Sequence, residues 1–193
     1  MSSSFPLSIE HKHRAYVWAI GMTRYWHKNR DLVSGLPVFQ SIAYFKSDTV
    51  EITLPNWAQD IAPDGYKGLL VDRSMLRDGV SPEEASFKDV DWWGAAFHHI
   101  NATAERLWER ENKTPLHSYS LRLKKIDKRL YDYAWTNRIF LFLRRWAAKI
   151  AGKDEKLLFG AFPSARIDLT HDVDYFEKTW PLRLKKTAFD MFN

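Results

Sequence analysis

With 193 residues, 45% of them hydrophobic and 15% aromatic, the chain has the composition of a packed globular protein rather than a disordered one. It is long enough for one ordinary domain, or one domain and a fragment of another. It contains no cysteine, which excludes disulfides, thiolate metal sites and cysteine nucleophiles together, and its formal charge of +5 speaks to solubility and steering rather than to fold.

Residues Met1 to Leu7 lack the basic start and apolar run of a secretory signal, and no apolar stretch approaches the ~20 residues needed to span a bilayer, so a soluble, cytoplasmic protein is expected. Ile9, Tyr16, Val17 and Ile20 recur at helical spacing and predict a helix from Ser8 to about His27. Between Phe39 and Leu54 the pattern changes: Ile42 and Tyr44, then Val50, Ile52 and Leu54, alternate about Ser47-Asp48 and predict a hairpin closed by Pro55. Pro63-Asp64-Gly65 and Arg77-Asp78-Gly79 are turn sequences, so Asn56 to Pro82 is expected to be loop-rich, with short elements at most.

Trp93, Phe97, Ile100, Ala104 and Leu107 mark one face of a helix from about Asp91 to Arg110, with Asp89 or Asp91 as its N-cap. Trp135, Ile139, Phe142, Leu143, Trp146 and Ile150 define another amphipathic helix that Gly152 is placed to stop. The basic residues between Arg122 and Lys149 are read as the solvated face of that region, which accounts for most of the positive excess. A charged linker, Lys153 to Lys156, and a short apolar run broken by Gly160 and Pro163 then set a domain boundary at about residue 160.

Beyond it, Ala165 to Asp174 reads as a strand and Thr179 onward as a helix, with Pro181 in its first turn. Side chains two apart on a strand share a face, so Asp168, Thr170, Asp172 and Asp174 lie on one side and Ile167, Leu169, His171 and Val173 on the other. Asp172 and Asp174 then stand about 6–7 Å apart along the backbone, close enough to share a divalent cation and a water. One carboxylate can ligate the cation while the other accepts the water's proton. The same tripeptide can equally end a strand as a turn former or helix cap.

The run Ile167-Asp168-Leu169-Thr170-His171-Asp172-Val173-Asp174 resembles the first motif of the polysaccharide deacetylase family, carbohydrate esterase family four, in the variant where an aspartate pair is split by one residue. Tyr175 to Asn193, with Lys178, Arg183, Lys185, Lys186 and Phe189, resembles the first helix of a subgroup linked to bacterial surface polysaccharides. Asp91-Trp92-Trp93 and Tyr131 to Arg144 resemble the accessory domain that precedes the barrel in these proteins. By position, the resemblance implies Asp172 as catalytic base and Asp174 as metal ligand, with His171 in a packing or ligand-supporting role. Asp168 departs from the apolar residue expected on a buried strand.

The resemblance implies a divalent metal, zinc first, and an N-acetylated oligo- or polysaccharide substrate. The family completes its metal site with two histidines on a later motif, and a closed (β/α) barrel needs ~200 residues or more, so residues 161–193 supply only its first strand and helix. The expected fold class is therefore α/β: an N-terminal α+β accessory domain, residues 1–160, followed by the start of an incomplete (β/α) barrel. The expected function is that of the N-terminal part of a longer enzyme, inactive by itself and with no metal necessarily held by this portion.

Other readings stay open at this point. Asp172-Val173-Asp174 also fits the diphosphate-binding motif of nucleotide-sugar glycosyltransferases, although residues 1–160 contain no glycine-rich phosphate loop. An aspartate-nucleophile phosphatase fits poorly, because Phe176 stands where Thr or Val is wanted. Residues 1–160 are alternatively a basic, tryptophan-rich binding module for an anionic glycan or protein, which would need exposed aromatics; Trp92, Trp93, Trp135 and Trp146 are instead expected in the core. No nucleic-acid partner is expected. His98 and His99 diverge by roughly 100° on a helix and are read as structural.

Overall fold

The computed structural model describes residues 11–41, 45, 48–116 and 126–163. The chain divides into two compact units, residues 1–163 and 164–193, and the architecture below is that of the first. It mixes helix with a two-stranded antiparallel sheet. Helices α1 (His11–Arg24) and α2 (Arg30–Ser34) lead to strands β1 (Thr49–Thr53) and β2 (Gly68–Asp72); α3 (Trp92–Ile100), α4 (Thr103–Asn112), α5 (Trp135–Ala151) and α6 (Glu155–Phe159) follow.

Helix α5 is the organising element, in contact with α2, α3, α6, β2 and the 3-10 segment Asn56–Ile61. Its stripe of Trp135, Ile139, Phe142, Leu143 and Trp146 is buried, as the periodicity predicts, and Gly152 ends it with a positive φ of 61° that a side chain would strain. Ile150, placed on the same stripe by the sequence, is instead 60% exposed. The core is aromatic. Trp26 meets Trp93 and Phe140 edge-on at 5.9 and 5.3 Å, Phe142 lies 5.0 Å from Trp92, and Phe87 meets Trp146 at 5.1 Å. Gly21 permits this packing, since a Cβ there would fall 1.9 Å from the Trp26 ring.

Helix α1 lies within the predicted span and buries Val17, but Tyr16 faces solvent. Strand β1 pairs with β2, in the register Thr49↔Asp72 to Thr53↔Gly68, a pairing that the expected Phe39–Leu54 hairpin did not include. Strand β2 is buried along its whole length and touches both α3 and α5, so Leu69-Leu70-Val71 shows no polar alternation. Residues 42–44 and 46–47, which carry the first arm of the expected hairpin, lie outside the described residues. Pro55, Pro63-Asp64-Gly65 and Arg77-Asp78-Gly79 all act as the punctuation the sequence predicts; Tyr66 and Val80 donate back to Pro63 and Arg77 at 3.0 and 3.1 Å.

The single helix expected from Asp91 to Arg110 is two. Asp91 caps α3 as predicted, its Oδ1 accepting from the Gly94 amide at 2.9 Å, but the chain breaks at Asn101-Ala102, where Ala102 takes a left-handed φ of 48°. Asp89 serves elsewhere, closing a capping box with Ser86. The charged linker is also corrected: Asp154 caps the Leu157 amide at 3.0 Å and starts α6. On α5 the basic face is largely consumed. Arg144 is fully buried, Arg145 pairs with Asp60 and Glu155, and Arg138 donates to the Ile61 carbonyl at 3.1 Å. Of that helix's cations Lys149 is the exposed one.

Candidate functional site

Asp172 and Asp174, with Asp168, Thr170 and His171, lie outside the described residues, as does the whole of the strand expected from Ala165 to Asp174. Within the described residues a cluster of titratable side chains lines a cavity at the end of α3. The break at Ala102 folds α4 back, so that Ala104 and Glu105 face His98 and His99 across a cavity of about 180 Å³. Asp72, at the end of β2, and Tyr131, from the 3-10 segment Lys128–Tyr131, complete the polar lining.

The two histidines differ in kind. His99 Nε2 lies 3.0 Å from the Leu70 carbonyl and, since a carbonyl can only accept, carries its proton there. His98 is 6% exposed and neither ring nitrogen has a hydrogen-bond partner. Its ring centroid sits 4.4 Å from that of Phe45. Burial, then the proximity of His99 and His13, pulls the His98 pKa down to about 3, so the ring is neutral at physiological pH. Burial also lowers His99, with the Leu70 carbonyl, Glu105 and Asp72 acting upward. Tyr131 is held well above the ordinary phenol range by desolvation and by its bond to Glu105. Asp72 is engaged already: Oδ1 accepts from the Ser74 amide at 2.9 Å and from its hydroxyl, and Oδ2 from the Asp48 amide at 3.0 Å.

A pH dependence follows. An unfolded histidine binds its proton near pH 6.5 whereas folded His98 resists until about 3, so the unfolded state holds more protons between those values. The stabilisation is complete above about pH 6.5 and declines as pH falls, by about 2–3 kcal/mol between pH 6.5 and pH 4.5 from this residue alone. Urea midpoints measured across that window should fall less steeply in His98→Phe, by close to one proton; parallel curves for the two proteins would refute the assignment.

Sequence reasoning placed His98 and His99 in the structure of the helix, and His99 fits that role. The cavity around His98 had no local signal, because its polar partners come from four separate segments and from a left-handed alanine that no glycine or proline announces. Among the described residues no three histidine, aspartate or glutamate side chains are grouped so as to hold a metal ion. No described tryptophan is exposed, and Trp92, Trp93, Trp135 and Trp146 are core as predicted; the exposed large aromatics among the described residues are Tyr16, Tyr131, Tyr133 and Phe162. No described helix is long and apolar enough to cross a membrane. Compared with known proteins, the chain matches no family model, no curated protein and no solved structure.

Proposed function

We propose that the chain is the N-terminal part of a metal-dependent polysaccharide deacetylase, in which residues 1–160 form an accessory domain and the run from Ile167 to Asp174 is the first strand of the catalytic (β/α) barrel. The observation that carries this reading is the sequence Thr170-His171-Asp172-Val173-Asp174, with two carboxylates at strand spacing. The division of the chain after Pro163, shortly before that run, supports it. A divalent cation at such a site supplies Lewis-acid activation of water. Asp174 offers the hard oxygen donor that such a cation favours, and Asp172 is left to accept the water's proton.

The test uses a protein that also includes the two expected histidines, assayed for acetate release from an N-acetylated oligosaccharide. Asp172→Asn should reduce the rate by about 10²–10⁴-fold with metal content unchanged, as loss of a general base does. Asp174→Ala should lose stoichiometric metal together with activity. Full metal content in Asp174→Ala would overturn the reading, and so would robust, metal-dependent acetate release by residues 1–193 alone.

A further inference from the structure

Two cavities of this unit have the same volume, about 380 Å³, and both are lined by cations, but their charges are answered differently. In one, Arg73 pairs with Asp48 at 3.5 Å and Arg77 with Asp89 at 3.3 Å, so the chain supplies its own counter-charges. The other lies where the chain turns at Gly152 and α6 packs against α5. It is lined by Arg145, Lys149, Lys153 and Lys156 against two carboxylates, Asp154 and Glu155. Both carboxylates are in use. Asp154 Oδ1 accepts from the Leu157 amide at 3.0 Å, and Glu155 pairs with Arg144 and Arg145. Arg145 is held in turn by Asp60. Lys149, Lys153 and Lys156 are exposed, and none of them has an ion-pair partner among the described residues.

Solvated lysines scattered over a surface need no explanation. Here three of them line one concavity, where like charges repel and low-dielectric walls concentrate their field, and an anion relieves both effects. Lysine is a point charge with three rotatable donors on a flexible stem, which suits the oxygens of a phosphate; the planar fork that matches a carboxylate belongs to arginine. The walls are aromatic. Trp57, from the 3-10 segment Asn56–Ile61, is fixed by stacking on Phe142 at 5.8 Å with the rings 13° apart. Phe162 is 42% exposed, and Lys156 Nζ lies 5.9 Å from its ring centre. A ring face and a cation therefore stand within the span of one small ligand. The volume is at the low end of the roughly 300–1,000 Å³ of small-molecule sites, which fits a single ring system with its substituents.

We propose that this pocket binds a small phosphate ester carrying one ring system, the phosphate among Lys149, Lys153 and Lys156 and the ring against Phe162. A sugar phosphate and a mononucleotide share that chemistry, the first offering a C–H face to the aromatic wall and the second a π face. The site binds and performs no chemistry. It does not depend on the Asp172–Asp174 motif, so it stands or falls apart from the deacetylase reading.

The test titrates the 193-residue chain at low ionic strength with glucose-6-phosphate, AMP and inorganic phosphate, followed by ligand-detected proton and phosphorus NMR. At least one ester should saturate with a Kd of about 0.1–1 mM, and at least about 5-fold more tightly than inorganic phosphate, which has no ring to offer. Whichever ester binds more tightly assigns the source. Lys149→Gln, Lys153→Gln and Lys156→Gln combined should weaken that ester at least about 10-fold and, since all three side chains are exposed and unpaired, should hold the thermal midpoint within about 2 °C. Phe162→Leu should bring the ester toward the affinity of inorganic phosphate while leaving the latter's Kd unchanged. Neither ester saturating up to about 20 mM, or ester binding unchanged in the triple glutamine variant, overturns the proposal. Inorganic phosphate binding as tightly as both esters overturns it as well, since the pocket would then hold an adventitious ion only.

Discussion

Arg144→Met is expected to lower the stability of the folded unit by about 3–5 kcal/mol, a large share of the 5–15 kcal/mol that a domain of this size commands. Arg144 is fully buried, and its guanidinium is where several segments meet. Nε lies 2.9 Å from Glu155 Oε1; Nη1 donates to the carbonyls of Tyr25 and Ala161, each at 3.3 Å, and Nη2 donates to that of Gly160. The rings of Phe159 and Phe162 flank it at 5.4 and 5.1 Å. One cation thus holds the end of α1, the first turn of α6 and the chain leaving α6. Methionine preserves much of the apolar volume but leaves three inward carbonyls and a carboxylate that is only 11% exposed. Arg145 still reaches Glu155 Oε2 at 2.8 Å, which places the loss toward the lower end of the range.

Urea unfolding followed by tryptophan fluorescence checks this, with a lower midpoint and an unchanged slope. Arg144→Met combined with Glu155→Leu should recover part of the loss, because the uncompensated carboxylate goes with its partner. A shift under about 1 kcal/mol in the single variant would mean that the buried guanidinium is not what ties these segments.

How much of this was readable beforehand follows from the range of each interaction. Helix α5 was legible from 17 residues of periodicity and a glycine stop, and the start of α3 from one aspartate, because those signals are local. Strand β2 was not: buried on both faces, its three apolar residues carry neither the period of a helix nor the alternation of a half-exposed strand. The break between α3 and α4 rests on Ala102, a residue whose intrinsic preference is to continue a helix. Arg144 reads as a surface cation until the carbonyls of Tyr25, Gly160 and Ala161 are known to face it. The His98 cavity fails for the same reason, since a sequence shows which groups exist but not which lack partners. The Asp172–Asp174 pair is the reverse case, a local pattern with a chemical meaning that precedes any geometry.

Asp91→Ala is the second substitution expected to be severe, again at about 3–5 kcal/mol. Asp91 has no solvent exposure and does more than cap α3. Oδ1 accepts from the Gly94 amide, while Oδ2 accepts from the Ser41 amide at 2.8 Å and pairs with Arg14 of α1, whose Nη2 also reaches the Ser41 carbonyl at 2.8 Å. Alanine strands two buried amides and withdraws the carboxylate from a guanidinium that is 13% exposed. Asparagine separates the two contributions. It caps a helix as well as aspartate does and keeps an oxygen for the Gly94 amide, but sets an NH2 donor in place of Oδ2 against the Ser41 amide and Arg14. Burial pushes the Asp91 carboxyl up despite Arg14 and both amides acting downward, so desolvation offsets much of what the charge contributes. Asp91→Asn, which keeps the Gly94 cap, should therefore cost less than Asp91→Ala, measured as the difference in urea midpoints at neutral pH. Equal losses in the two variants would show that the Oδ2 contacts with Arg14 and the Ser41 amide, and not the Gly94 cap, carry the stability.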